Sequence, residues 1–125
     1  MESGVFGTLT PLQDEMVNLL VGVGMKRNVA KVLVFLSELS EASSREIERG
    51  TDLRQPEVSI AMRELKEQEW VTFRESKTEN KGRPVKIYSI ALGLAEITNI
   101  LEQKKRQEAE SQISMINRMR KCIES

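Results

Sequence analysis

Catalysis needs groups that move protons, attack carbon or hold metals, and this chain of 125 residues is short of all three. It has no histidine, which removes the commonest general base and the commonest zinc ligand together. Glu64, Glu67 and Glu69 stand close in sequence, but no nucleophile, phosphate cradle or metal-binding pattern lies beside them. An enzyme is not expected, and neither is a metal or a cofactor. Met115, Met119 and Cys122 fall at i, i+4 and i+7, placing three sulfurs on one helix face. That face suits a soft metal or a redox sensor, or else a helix–helix seam in which Met and Cys act as adaptable hydrophobes, and the second reading is adopted. Lys104-Lys105-Arg106 offers charge to nucleic acid, yet Glu102, Glu108 and Glu110 flank it, as on a solvated helix surface.

The chemistry that remains is recognition, and it centres on the stretch from Arg54 to Lys66. At about 100° per residue, Val58, Met62 and Leu65 share one stripe, while Gln55, Ser59, Ile60 and Arg63 lie on other sides. One face can be buried while the other reads something. Pro56 costs little near the start, because the first helical N–H groups lack partners within the helix. Upstream, Ser43-Ser44-Arg45-Glu46 forms a capping box that opens a short helix with Ile47 inward. That helix is expected to run to about Arg49 and to end at Gly50 in the left-handed conformation. A helix, a glycine-containing turn plugged by Leu53, and a second helix with a polar outer face make the order of a helix-turn-helix.

Downstream, Trp70-Val71-Thr72-Phe73-Arg74-Glu75 alternates, and Pro84-Val85-Lys86-Ile87-Tyr88-Ser89-Ile90 is rich in strand formers. The polar loop 76–83 joins them, so a hairpin is expected, standing as a wing beside the helices. Glu41-Ala42 can add a short strand to it. Ahead of these, Val29, Val32, Leu33, Leu36 and Leu39 form the inward stripe of a helix over about 27–39.

The run from Asn28 to Ile90 resembles the winged helix-turn-helix of MarR and TrmB-like transcriptional regulators, in particular the small archaeal type. Gln55-Pro56-Glu57-Val58-Ser59, Glu64-Leu65-Lys66-Glu67-Gln68-Glu69-Trp70-Val71 and Lys81-Gly82-Arg83-Pro84-Val85-Lys86-Ile87-Tyr88 carry the resemblance. Such families often cap the third helix with Ser or Thr, where this chain has Arg54. The resemblance implies double-stranded DNA as partner. The third helix, about 55–68, would enter the major groove with Gln55, Glu57, Ser59, Ile60 and Arg63 as contacts and Arg54 at its entrance. Arg63 suits guanine, Gln55 adenine, and Glu57 the amino group of cytosine. Ser44 and Arg45 would touch phosphate at the start of the second helix. By the same resemblance Arg83 would reach the minor groove or the backbone, with Lys77 and Lys81 adding salt-sensitive contacts. Relatives of this type often bind a small effector, but no polar cluster here marks such a pocket. The alternative is a winged-helix module that binds another protein, favoured by Ile60 and by Glu57, Glu64 and Glu67, and opposed by the bases of the wing.

Composition agrees with one small domain. Nineteen bases balance nineteen acids, which argues against a histone-like basic coat. The distribution is uneven: residues 1–25 carry Glu2, Asp14 and Glu15 and no base, while residues 70–90 carry Arg74, Lys77, Lys81, Arg83 and Lys86 against Glu75 and Glu79. A positive wing on a neutral chain steers phosphate locally. No signal peptide is read at Met1, the longest apolar stretch, Leu19 to Val23, is too short to span a bilayer, and the lone Cys122 fits a reducing compartment, so a cytoplasmic protein is expected.

Two flanking helices complete the expectation. Leu12, Met16, Leu19, Leu20 and Val23 recur at helical spacing over 11–23; this helix packs either on a partner, as in the resembled families, or on the chain's own core. From Gly93 onward no proline interrupts, and Leu94, Ile97 and Leu101, then Ile113, Ile116, Met119 and Ile123 make an apolar stripe broken at 102–108. A helix of about thirty residues is about 45 Å long, more than a small domain can cover, so a second copy is expected there. The dimerisation set is Leu12, Met16, Leu19, Ile97, Leu101, Ile113, Ile116, Met119 and Ile123. The fold expected is mainly α with a small β hairpin: a helical extension over 1–25, a winged helix-turn-helix over 26–91 and a C-terminal dimerisation helix over 92–125.

Overall fold

The computed structural model describes residues 9–77 and 84–125. Lys81 and Arg83 lie outside them. Helices and strands follow in the order α1 (Pro11–Gly22), α2 (Arg27–Leu39), β1 (Glu41–Ser43), α3 (Ser44–Thr51), α4 (Gln55–Glu67), β2 (Val71–Lys77), β3 (Pro84–Ile90) and α5 (Leu94–Glu124). This is a mainly helical chain with a three-stranded antiparallel sheet in the order β1-β3-β2. Two compact units divide at Leu94, one of residues 1–94 and one of 95–125.

In the first unit α2 is the central element, packing against α1, α3, α4, β1 and β3. Its Val29, Ala30, Val32, Leu33, Val34 and Leu36 are buried. Leu39 departs from the expected stripe and is exposed, because it closes the helix just before Ser40 turns the chain into β1. Ile47 of α3, Leu53 of the turn, and Val58, Ala61, Met62 and Leu65 of α4 complete the helical part of the core. Trp70, Val71, Tyr88 and Ala42 close it from the sheet.

The register sorts the sheet into two faces. Val71 opposite Ile90, Phe73 opposite Tyr88, and Ala42 opposite Tyr88 share the core side, and Glu75 opposite Lys86 continues that side outward along the hairpin. On the other side the Arg74 guanidinium donates to the Glu41 carboxylate at 2.8 Å, reaching across the central strand.

Capping sets the helix starts. Ser43 Oγ accepts from the Glu46 N–H at 3.2 Å, and Glu46 Oε1 accepts from the Ser43 N–H at 2.8 Å, completing the expected box. A second box opens α1, where Thr10 Oγ1 accepts from the Gln13 N–H at 3.1 Å and Gln13 Oε1 accepts from the Thr10 N–H at 2.8 Å. Within α1 the apolar residues divide between two faces rather than forming one stripe: Val17 and Leu20 are buried, and Leu12 and Leu19 are exposed.

Gly50 does not end α3. The helix continues through Thr51, and Asp52 takes the left-handed conformation (φ 58°, ψ 36°) that closes it. Gly50 is instead a packing position, buried where a Cβ would overlap the Phe35 ring of α2. Replacing a helical glycine by alanine ordinarily stabilises by about 1 kcal/mol. At this position the ring overlap should reverse the sign. Gly50→Ala is expected to destabilise the protein by about 1–3 kcal/mol in denaturant melts, and to become stabilising by about 1 kcal/mol in a Phe35→Ala background. A stabilising effect in both backgrounds would refute the packing role.

α5 is one continuous helix of 31 residues, about 46 Å long. Ile97 is fully buried. Leu101 is half-buried, and Ile113, Met115, Ile116, Met119 and Ile123 are exposed. In the polar interruption Arg106 pairs with Glu102 at 2.7 Å and Lys105 with Glu108 at 3.3 Å, exposed pairs of about 0.3–0.5 kcal/mol each. Among the described residues no helix is long and apolar enough to cross a membrane.

Candidate nucleic-acid interface

α4 can present a surface because its inner face is fixed: Val58, Ala61, Met62 and Leu65 are each no more than 2% exposed. Gln55, Pro56, Glu57, Ser59, Ile60, Arg63, Lys66 and Glu67 are consequently exposed. Their neighbours divide them between two grooves.

The first groove, of about 490 Å³, runs between α4 and the wing and is lined by Ser59, Met62, Arg63, Lys66, Glu67, Lys86 and Tyr88. Its cations are held by an aromatic ring. Lys66 Nζ lies 4.1 Å and Lys86 Nζ 4.9 Å from the centroid of Phe73, whose own ring packs against Tyr88 at 5.9 Å. Such contacts orient an ammonium without neutralising it. Neither lysine, nor Arg63, has an ion-pair partner among the described residues. Three cations facing one carboxylate, Glu67, make a place for an anion.

The second groove, of about 300 Å³, lies between α4 and the start of α2 and is lined by Lys26, Arg27, Asn28, Val29, Glu57, Ile60, Ala61 and Glu64. Its charges are largely engaged. Lys26 donates to Glu64 at 2.9 Å and Arg27 to Asn18 at 2.9 Å. Glu57 turns its carboxylate back on the Arg54 N–H at 2.9 Å, doing at this helix start what Glu46 and Gln13 do at the starts of α3 and α1. Glu57 thus serves the helix, which reduces its availability to a base edge.

Of the expected contacts, Ser59 and Arg63 share the wing groove, Glu57 and Ile60 the other. Gln55 leans toward Ser59 through a long 3.4 Å hydrogen bond. Ser44, Arg45 and Arg54 line neither groove. Ser44 is half-buried and Arg45 exposed at the start of α3, where Glu46 satisfies the Ser43 N–H. Lys77 closes β2. Lys66 and Lys86 are absent from the sequence-derived set. Lys66 follows Arg63 by three residues and so shares its side of the helix, a signal present in the sequence; Lys86 needed the hairpin register, which places it beyond Tyr88 on the helix-facing side.

Residues 23–80 match the model of the MarR family. Among solved structures the chain is similar to a possible transcriptional regulator from Methanosarcina mazei Go1, at 16% identity over 83% of this chain and 86% of that one, with a TM-score of 0.64. It is similar to TrmBL2, an archaeal chromatin protein, at 14% identity over 87% of this chain and 39% of that one, with a TM-score of 0.69. A transcriptional regulator homologue from Pyrococcus horikoshii OT3 matches at 16% identity over 79% of this chain and 96% of that one, with a TM-score of 0.52. No curated protein matches. The fold is a winged helix-turn-helix shared with these solved structures.

The role of Glu57 at the helix start has a measurable consequence. Glu57→Ala is expected to lower stability by about 0.5–1 kcal/mol through the lost cap, and Glu57→Gln, which keeps an acceptor oxygen, by less. Thermal melts that rank the two the other way would remove the capping assignment.

Proposed function

We infer that this MarR-type winged helix-turn-helix binds double-stranded DNA as a transcriptional regulator, with α4 in the major groove and the wing against the backbone. The observation that carries the reading is the groove in which Arg63, Lys66 and Lys86 converge between an exposed helix and a hairpin, with no ion-pair partner among the described residues. A duplex offers phosphate to Lys66 and Lys86 on the wing side of that groove, and base edges to the helix surface that carries Arg63. Arg63 is the guanine contact and Gln55 the adenine contact; Ser59 supports them. Ser44 and Arg45 meet phosphate at the start of α3. Lys77, Lys81 and Arg83 enter as wing contacts on the strength of the sequence. TrmBL2, whose fold this chain shares, binds DNA, in line with this reading. A winged-helix module for a protein partner is the second reading, favoured by exposed Ile60 beside Glu57 and Glu64.

Binding measured at several salt concentrations separates the two. Lys66→Ala and Lys86→Ala are expected to weaken binding to every duplex and each to reduce the salt slope by roughly one. Arg63→Ala should cost about 1–3 kcal/mol on a duplex selected from a random pool and little on unselected DNA. If discrimination survives Arg63→Ala, the groove assignment is wrong.

The same reading includes a twofold pair of chains. Ile113, Ile116, Met119 and Ile123 are between 45% and 82% exposed, and each apolar side chain left in water forgoes about 1.5–3 kcal/mol. The outer stripe of α1, Leu12, Met16, Leu19 and Val23, recurs at i, i+4, i+7 and i+11 and matches that stripe in length at about 15 Å. Charge supports their pairing between copies: α1 carries Asp14 and Glu15 without a base, and the last turns of α5 carry Arg118, Arg120 and Lys121 against Glu124. A twofold axis would set two α4 helices about 34 Å apart, one turn of DNA. Ile113→Glu with Ile116→Glu is expected to reduce the mass seen by light scattering to one chain and to weaken operator binding, with the helical circular-dichroism signal of the first unit retained. A wild-type chain that scatters as a monomer at micromolar concentration excludes the pairing.

A further inference from the structure

The ridge of α4 opposite its buried face is made of Pro56, Ile60, Arg63 and Glu67, at i, i+4, i+7 and i+11. On a ridge otherwise closed by a ring and two charges, Ile60 is 54% exposed. We infer that Ile60 reads thymine, its branched side chain packing on the C5-methyl group in the major groove beside the guanine held by Arg63. The inference rests on the DNA reading above and names what one position of the site would contain.

Three observations lead to it. Ile60 has no donor or acceptor, and among the edges that base pairs turn to the major groove only thymine presents an apolar group. The surface around Ile60 is not built for phosphate. Glu57 and Glu64 share its groove, with Glu57 engaged by the Arg54 amide and Glu64 by Lys26, whereas Arg63, Lys66 and Lys86, which have no ion-pair partner among the described residues, lie in the groove on the wing side. A backbone drawn to the wing side leaves Ile60 facing base edges. The third observation is spacing. Three residues of helix advance about 4.5 Å, against about 3.4 Å for one base step, so the thymine belongs within one or two base pairs of the guanine.

The test compares full-length protein on duplexes selected from a random pool with the same duplexes carrying deoxyuridine for thymidine. Deoxyuridine pairs identically and lacks only the methyl group. Loss of one buried methyl corresponds to about fourfold weaker binding for each thymine contacted. That loss is expected to map to one thymine position per half-site. Ile60→Ala should bind the two duplexes equally, and its exposure means that the substitution opens no core. Arg63→Ala should keep the methyl sensitivity while losing preference at the guanine. Equal affinity of the wild-type chain for both duplexes, or an undiminished ratio in Ile60→Ala, overturns the thymine assignment and leaves DNA binding standing. Failure to retain any duplex at low salt overturns both.

Discussion

What α4 can offer a partner is decided by the face it hides. Val58, Ala61, Met62 and Leu65 are sealed against the rest of the first unit, and at 100° per residue four such positions leave the helix no freedom to roll. A rotation by one residue would put Ile60 or Ser59 into the core and carry Met62 or Leu65 into water, a loss of several kcal/mol at about 1.5–3 kcal/mol per large side chain. The exposed Lys26–Glu64 pair adds a surface tie of less weight, since half-exposed ion pairs contribute about 0–1 kcal/mol. The apolar face therefore fixes where Arg63 and Ile60 point, and the polar contacts trim the ends of the helix.

The wing depends on the same principle through strand register. Val71, Phe73 and Tyr88 face the helices, and alternation carries that side outward to Lys86. Phe73 then does for two lysines what a carboxylate would do at the cost of their charge: it orients both while leaving each cationic. Arg74, one residue on, faces the opposite side and spends its charge on Glu41. Two bases of the hairpin, Arg74 on β2 and Lys86 on β3, thus have different uses, set by which side of the sheet each occupies.

This division explains how far the sequence could be read. Helical periodicity identified the buried stripe of α4, because period and burial are both local properties. The Ser43–Glu46 box was legible for the same reason, and the Thr10–Gln13 box carried the same signal with proline between its members. Gly50 was misjudged because a glycine after charged residues has the appearance of a helix end, and the ring that requires it, Phe35, is fifteen positions away in another helix. Counting wing bases could not separate Arg74, which pairs with Glu41, from Lys86, which has no ion-pair partner among the described residues.

Equal numbers of acids and bases give the chain no general field with which to hold a polyanion. Attraction must come from a few cations in one groove, and a few phosphate contacts make weak binding to arbitrary sequence. Such weakness helps discrimination, because a regulator competes against the whole of the surrounding DNA and its specificity is a ratio. It also leaves one copy short of affinity. The inferred pairing answers that shortage: a second α4 held one helical turn away meets its half-site at the high effective concentration set by a rigid link. In that inferred pairing the acidic α1 and the basic end of α5 would have complementary roles, since they would place opposite charges within the contact between copies and leave the groove beside α4 as the cationic surface offered to DNA.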